Sequence, residues 1–186
     1  MRRCAVALVH HPVLDGKGAV VTTAVTNLDV HDLARSARTY GASDYFLVHP
    51  IEAQRSLVHR IREHWTDGSS ARRIPDRREA LGLLRVVETL DEAVAALGGR
   101  DRVEVWVTAA RALGPSLSFA EARERLGHDE GRAVLIVFGT GWGLAPPVLE
   151  GADALLEPIR GGRGDYNHLS VRSACAIALD RLLGAR

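Results

Sequence analysis

Lysine and cysteine are nearly missing from this chain of 186 residues, which contains one lysine, Lys17, and two cysteines, Cys4 and Cys175. The cysteines are too far apart in sequence for the closely spaced pairs of a metal site, and they are too few for a disulfide framework. A P-loop requires a Lys-Ser or Lys-Thr pair after its last glycine, and the chain has no such pair. The sequence therefore argues against a cysteine-based metal site, a disulfide scaffold and a P-loop.

Long apolar runs are also missing. No stretch of about eighteen apolar residues occurs, so we expect no transmembrane helix. The basic start is followed by a short apolar run that ends at His10, His11 and Pro12, too early for a signal peptide. The two histidines have no third partner at metal-ligand spacing. We therefore expect a cytoplasmic protein with no membrane contact and no metal.

The formal net charge is only +1, so no global field indicates binding to nucleic acid. Arginine nevertheless supplies all but one of the 24 basic residues. Two groups of arginines stand out, one in the segment 66–78 and one beside a late glycine-rich turn: Arg72, Arg73, Arg77 and Arg78, then Arg160, Arg163 and Arg172. Guanidinium groups bind phosphate with two parallel hydrogen bonds, so an RNA backbone is a candidate partner. A genomic bias towards arginine codons explains the overall count equally well.

Short apolar runs alternate with helical patterns along the chain. The predicted strands are residues 3–9, 44–49, 84–88, 103–108, 133–138 and 152–156. The predicted helices are residues 26–40, 51–65, 90–97, 118–126 and 169–183, and the segment 66–78 has the composition of a loop. This alternation predicts a single α/β domain, residues 1–186, with a mostly parallel six-stranded sheet and helices on both faces.

Two glycine-rich turns lie in the last third of the chain, each directly after a predicted strand. The first is FGTGWGL, residues 138–144, and the second lies within LEPIRGGRGDYNHLSVRSA, residues 156–174. Glycine has no Cβ atom, so main-chain groups in such turns approach a ligand closely. Ligands of parallel sheets bind beyond the carboxyl ends of the strands. We therefore expect a pocket for a small polar cofactor near the C-terminus.

The first turn does not fit the dinucleotide-binding fingerprint. Gly139, Gly141 and Gly143 are spaced as G-x-G-x-G, and Leu144 occupies the place of the third glycine in G-x-G-x-x-G. The turn also comes too late in the chain to leave room for a second βαβ unit. An alternative to a ligand site, judged from sequence, is that these glycines only permit tight turns between strand and helix.

The chain resembles the SPOUT (α/β-knot) methyltransferases, and within them a small bacterial family of S-adenosylmethionine (SAM)-dependent RNA methyltransferases. The similarity runs nearly end to end, through ALVHHPV, VVTTAVTNLDVHDLARSARTYG, EHW, FGTGWGL and the EPIRG and DYNHLSVRSA strings. The resemblance implies a C-terminal trefoil knot over residues 133–186, SAM as cofactor, an RNA substrate (tRNA or rRNA), and a homodimer whose interface completes the active site. True knots are rare exceptions among protein topologies.

The resemblance also places the cofactor among three loops of the knot region. The residues implied to contact SAM are Phe138, Gly139, Thr140, Gly141, Gly143, Pro158, Ile159, Gly161, Asn167, His168, Leu169 and Ser170. Trp142 and Leu144 are candidates for a lid that keeps water from the methyl donor.

Catalytic residues are implied less completely. In the branch that methylates the ribose 2′-hydroxyl, an N-terminal motif runs from Asn through Arg to Gly, and Arg35 and Gly41 keep the Arg-to-Gly spacing here. That branch carries a glutamate in its first glycine loop, where this chain has Thr140, and an asparagine in its last loop, where this chain has His168. Methylation of a base nitrogen therefore stays open, with Asp165 as candidate general base. A protein that binds SAM or a nucleotide beside RNA without turnover is the alternative to an enzyme.

Overall fold

The computed structural model describes residues 1–67, 69–128, 130–163 and 166–185. Its centre is a sheet of six parallel strands in the order β5-β4-β1-β7-β6-β8. The strands are β1 (Cys4–Val9), β4 (Tyr45–Val48), β5 (Leu84–Val87), β6 (Val103–Val107), β7 (Ala133–Gly139) and β8 (Ala154–Leu155). A separate antiparallel pair is formed by β2 (Val13–Leu14) and β3 (Val20–Val21). The predicted parallel sheet of six strands is confirmed.

Eight helices surround the sheet in the described part of the chain. They are α1 (Asn27–Thr39), α2 (Glu52–Thr66), α3 (Ser69–Arg73), α4 (Pro75–Gly82), α5 (Leu90–Ala96), α6 (Phe119–Gly127), α7 (Pro146–Glu150) and α8 (Val171–Leu183). Side chains that accept a hydrogen bond from the first turn fix several helix starts. Thr26 accepts from the Asp29 N–H, and Ser118 forms a capping box with Glu121.

Helices cover both faces of the sheet, as the sequence predicts. Alternate residues of β1 point to opposite sides, so Val6 and Leu8 enter one core while Ala7 and Val9 enter the other. The first core is closed mainly by α1, α4, α6 and α8, and the second by α5 and α7. Strands buried on both faces need near-continuous apolar sequence, which explains the run CAVALV.

Three local features differ from the sequence prediction. Residues 66–78 were predicted to be a loop, but α3 and the first half of α4 lie there. Pro75 at the first turn of α4 fixes a helical φ angle and needs no hydrogen-bond partner, so it begins a helix rather than preventing one. The segment 10–23, which the sequence predicts to be a polar loop, contains the β2–β3 hairpin. The last helix, predicted over 169–183, begins at Val171 because Ser170 is its N-cap.

No helix among the described residues has both the length and the apolar character needed to cross a membrane. In the same residues, no group of three or more His, Cys, Asp or Glu side chains is arranged to hold a metal ion.

Candidate functional site

A cavity of about 1100 Å³ opens beyond the carboxyl ends of β6 and β7. Ten of the twelve residues that the resemblance assigns to the cofactor line it: Phe138, Gly139, Thr140, Gly141, Gly143, Ile159, Asn167, His168, Leu169 and Ser170. Protein pockets for small ligands commonly measure about 300–1,000 Å³, so this cavity has room for a nucleoside-sized group and part of a second molecule. The two glycine-rich segments therefore do meet at one site.

Contacts within the protein fix the conformation of the first glycine turn. Gly141 and Gly143 have φ angles of 59° and 113°, which strain any residue with a Cβ atom. The turn is bonded to the hairpin, since the Trp142 N–H donates to the Leu14 carbonyl at 2.9 Å. A Cβ atom on Gly141 would lie 2.8 Å from that same carbonyl oxygen. The hairpin and the positive φ angle are therefore sufficient reasons for glycine at position 141.

Gly139 also has a structural reason to be glycine. A Cβ atom there would lie 2.9 Å from the Leu144 side chain, which is buried in the core beneath the turn. Leu144 consequently cannot act as a lid. Trp142 is different, because it is 63% exposed, lines the cavity and meets the His168 ring edge-on at 6.1 Å between centroids.

The second glycine-rich segment is tied to the loop after β6. Glu157 accepts a hydrogen bond from the Phe119 N–H at 2.7 Å, and the Asn167 side chain donates to the Ala110 carbonyl at 2.5 Å. Ser170 then caps α8 by accepting from the Ser173 N–H. These bonds position the segment along one wall of the cavity, opposite the first turn.

A half-buried chain of hydroxyl groups connects the cavity wall to the core. Thr140 donates to the Val9 carbonyl at 3.2 Å, and its oxygen lies 2.5 Å from the Thr23 hydroxyl, which in turn lies 3.0 Å from His10 Nδ1. Burial, reinforced by the neighbouring His49, lowers the pKa of His10 to about 4. His10 is therefore neutral at physiological pH, and its Nδ1 carries the proton that Thr23 accepts.

The cavity also contains an ion pair that the sequence analysis missed. The Asp29 carboxylate is buried, accepts from the Thr26 hydroxyl at 2.7 Å, and pairs with Arg172 Nη1 at 3.1 Å. Arg172 reaches Asp32 as well, with its Nε 3.4 Å from that carboxylate. Residue spacing gave no signal for a contact between α1 and α8, because the partners are separated by 143 positions.

Three of the described site residues predicted from the sequence are not brought to this cavity: Pro158, Gly161 and Arg35. Pro158 and Gly161 are not among its lining residues, and a Cβ atom on Gly161 would meet nothing closer than 3.9 Å. Asp165 lies outside the described residues. Arg35 is exposed on α1 and faces a second, smaller cavity instead.

We call this second cavity the basic cleft. It measures about 690 Å³ and lies between α1, α2 and α4. Its residues with aromatic or basic side chains are His31, Arg35, Arg60, His64, Trp65 and Arg77.

Known proteins share both the sequence and the fold. A family model described as SAM-dependent RNA methyltransferase matches residues 3–184. A protein of Nitratidesulfovibrio vulgaris named tRNA (guanine-N(1)-)-methyltransferase is 46% identical over 179 residues, which are 96% of this chain but 41% of that protein. The chain thus spans less than half the length of this curated relative.

Two solved structures show the same fold at low sequence identity. TrmJ from Z. mobilis superimposes with a TM-score of 0.62 at 18% identity, covering 100% of this chain and 70% of that one. The SpoU methyltransferase AviRb from Streptomyces viridochromogenes, solved with its cofactor AdoMet, gives a TM-score of 0.56 at 14% identity and covers 96% and 56% of the two chains. The fold is that of the SPOUT methyltransferases. With a family model matching nearly every residue, the chain belongs to the SAM-dependent RNA methyltransferases.

Proposed function

We propose that the protein binds SAM in the cavity between its two glycine-rich segments and methylates an RNA nucleotide presented at the cavity mouth. The observation that carries this proposal is the convergence of Gly139–Gly143, Ile159 and 167–170 on one cavity of about 1100 Å³. Its walls combine main chain, apolar side chains and few charges, which suits an adenosine group. Such a site selects by main-chain hydrogen bonds rather than by ionic contacts.

SAM supplies an electrophilic methyl group when bound. The residues of this chain position and cover the cofactor and exclude water from it. Phe138, Ile159 and Leu169 offer apolar surface for a purine ring, and neighbouring main-chain groups offer hydrogen bonds to its edge. Asp29 also lines the cavity, where its carboxylate is paired with Arg172. Alignment of donor and acceptor by such a cavity accounts for much of the rate of a displacement reaction.

Two acceptors are left open by the resemblance in sequence. A ribose 2′-hydroxyl would be assisted by Arg35, and a base nitrogen by Asp165 as general base. The name of the N. vulgaris relative specifies guanine N1 in tRNA, but this chain matches less than half of that protein. Methylation of guanine N1 is therefore one outcome to be tested, alongside ribose methylation in tRNA or rRNA.

The proposal includes a homodimer in the cytoplasm and a knotted C-terminal segment, residues 133–186, within the single domain 1–186. Support for a dimer comes from an apolar rim around the cavity, where large side chains are exposed: Leu113, Trp142, Tyr166 and Leu169. A second copy that covers this rim would close the cavity. The apolar surface of α8 gives little support for a dimer, because α1 and α6 of the same chain cover much of it.

Calorimetry with SAM, ATP and NAD tests the proposal on three proteins, the wild type and two variants. We expect saturable binding of SAM with micromolar affinity, about −8 kcal/mol, by the wild type. Ala110→Trp places a large ring at the cavity and should abolish that heat, whereas Ala112→Trp, an exposed change in the same loop that does not line the cavity, should preserve it.

Binding of ATP or NAD instead of SAM would contradict the proposal. Transfer of the methyl group is then measured by comparing modified nucleosides in tRNA and rRNA from a deletion strain and its parent. An unchanged nucleoside profile would favour the alternative of a SAM-binding protein without turnover.

A further inference from the structure

The basic cleft has a concentration of positive charge that the overall composition of the chain conceals. Arg35, Arg60 and Arg77 come from three different helices and line one cavity. In the described part of the chain, none of these three arginines is paired with a carboxylate. The cleft is therefore a local cationic site on a protein whose formal net charge is only +1.

The carboxylate in the basic cleft does not neutralise the positive charge of the cleft. Asp32 is the one acidic residue among the described residues that line the cleft, and its Oδ2 lies 3.4 Å from Nε of Arg172. The positive groups also act on one another, since burial first and then Arg77 and Arg35 lower the pKa of His31, against Asp32, which raises it. His31 Nδ1 is buried and has no hydrogen-bond partner among the described residues.

An aromatic ring lies at the centre of this charge. The guanidinium of Arg77 sits 4.4 Å from the centroid of the Trp65 ring, a cation–π contact, and the His31 and His64 rings meet Trp65 edge-on at 5.5 and 5.2 Å. Arginine forks next to an aromatic ring are the combination that binds single-stranded RNA, through phosphate and through the planar faces of bases. A single small anion would occupy only part of a cleft of about 690 Å³.

The cleft and the cofactor cavity adjoin each other through one side chain. Asp29 lines the cavity and Asp32 lines the cleft, one helical turn apart on α1, and Arg172 contacts both carboxylates. Arg172 thus connects a lining residue of the cavity with a lining residue of the cleft, so an RNA strand in one site would lie beside the other. Charge, aromatic surface and position all match an RNA strand passing from one site to the other.

We propose that the basic cleft binds the sugar–phosphate backbone of the RNA substrate next to the nucleotide that enters the cofactor cavity. Arg60 and Arg77 contact phosphates, and Trp65 supports a guanidinium or a base. This inference rests on the proposed function and adds the path of the substrate across the surface.

The test compares two double variants that remove the same charge. Arg60→Gln with Arg77→Gln changes the cleft, and Arg78→Gln with Arg125→Gln changes exposed arginines of α4 and α6 that do not line it. Each protein is titrated with a mixed-sequence oligoribonucleotide of about twenty nucleotides and with bulk bacterial tRNA at several salt concentrations. Calorimetry with SAM on the same samples verifies the fold and the cofactor site independently of RNA.

We expect the cleft variant to bind both RNAs about tenfold or more weakly near 0.1 M salt. Its plot of log affinity against log salt should be flatter by about 1.4 for the oligonucleotide, because two phosphate contacts are lost. The control should remain within about threefold of wild type in affinity, and both variants should keep wild-type SAM affinity. That pattern supports the cleft as an RNA site.

Equal RNA affinities of the two variants, or no saturable binding of either RNA by the wild type, would overturn the inference while leaving SAM binding intact. A wild-type dimer that becomes monomeric only in the cleft variant would also overturn it, since the cleft would then be covered by a second copy. Failure of the wild type itself to bind SAM would instead refute the proposed function.

Discussion

The hydroxyl oxygens of Thr23 and Thr140 lie 2.5 Å apart, which connects the hairpin loop to the first glycine turn across 117 positions of sequence. Thr140 uses its own proton on the Val9 carbonyl, so Thr23 donates to Thr140 and accepts from His10 Nδ1. This one-way chain fixes a wall of the cofactor cavity to the buried end of β1. Each donor in this hydroxyl chain has an acceptor, which lowers the cost of removing these groups from water.

Removing the central hydroxyl should therefore destabilise the protein. We expect Thr23→Val to lower the free energy of unfolding by about 1–3 kcal/mol, because His10 Nδ1 loses its buried partner. Thr22→Val is the matched control, since Thr22 is exposed and its hydroxyl meets only His11 Nδ1 at 3.0 Å. Urea unfolding at pH 7 measures both. Equal losses for the two variants would show that the hydroxyl chain contributes nothing specific.

Acid should weaken the fold over a window set by His10. Burial first, and then His49, lowers the pKa of His10 from 6.5 to about 4. Between these values the unfolded chain binds a proton that the folded protein does not, so this stabilisation is complete above pH 6.5 and lost as the pH falls towards 4. His49 and His31, whose pKa values are also lowered, act in the same direction.

From pH 7 to pH 5 we expect His10 alone to account for a loss of about 2 kcal/mol in the free energy of unfolding. Urea unfolding across this range should show a smaller pH dependence for His10→Gln than for the wild type. His59→Gln changes an exposed histidine of α2 and should keep the wild-type dependence. A His10→Gln variant as sensitive to acid as the wild type would contradict this account of the buried histidine.

The glycines of the two turns should respond differently to the same substitution. Gly141→Ala puts a Cβ atom 2.8 Å from the Leu14 carbonyl at a φ of 59°, and we expect it to lower the free energy of unfolding by about 1–3 kcal/mol. Gly162→Ala adds its Cβ in open space and should leave stability unchanged. Differential scanning calorimetry distinguishes them. A Gly141→Ala protein of wild-type stability would show that the hairpin yields readily.

Sequence periodicity predicted the sheet well, since runs such as AVLIVF leave few alternatives to a buried strand. It failed at residues 66–78, where charged side chains on α3 and α4 gave no apolar period and the helices depend on packing against α2. The glycine turns were located correctly, but the sequence left the reason for their glycines open between ligand contact and tight turns. The structure shows that Leu14 and Leu144 leave no space for a Cβ at Gly141 and Gly139.

The cavity proposed for the cofactor could be predicted only in part from the sequence. Its glycine-rich walls are continuous in sequence, whereas Thr23, Asp29 and Arg172 reach it through tertiary contacts over more than a hundred positions. No local pattern encodes such contacts. The basic cleft is similar, because of the four arginines clustered at 72–78 only Arg77 lines it, together with residues from α1 and α2.

The oligomeric state tests the apolar rim of the cavity. We expect light scattering at micromolar concentration to give the mass of a dimer for the wild type and of a monomer for Leu169→Glu, because a buried charge opposes association. Leu169 is 46% exposed, and Ile51, which is 50% exposed at the start of α2, provides the control Ile51→Glu. A monomeric wild type would refute the dimer. Dissociation by both variants would show that the effect is not specific to the rim.

The reacting centre is tested by Arg35→Ala and Asp165→Asn on the RNA that proves to be modified. Arg35 lines the basic cleft and not the cavity proposed for the cofactor. If it contacts the RNA and not SAM, we expect Arg35→Ala to lower methyl transfer by about 10²-fold while SAM affinity stays at the wild-type value, because the lost contact then affects turnover alone. Single-turnover transfer of labelled methyl groups and calorimetry measure the two quantities separately.

Asp165→Asn then identifies the acceptor. A loss of methyl transfer as large as that of Arg35→Ala indicates a base nitrogen deprotonated by Asp165, and a mild loss indicates a ribose hydroxyl. Wild-type turnover by both variants would show that neither residue belongs to the reacting centre.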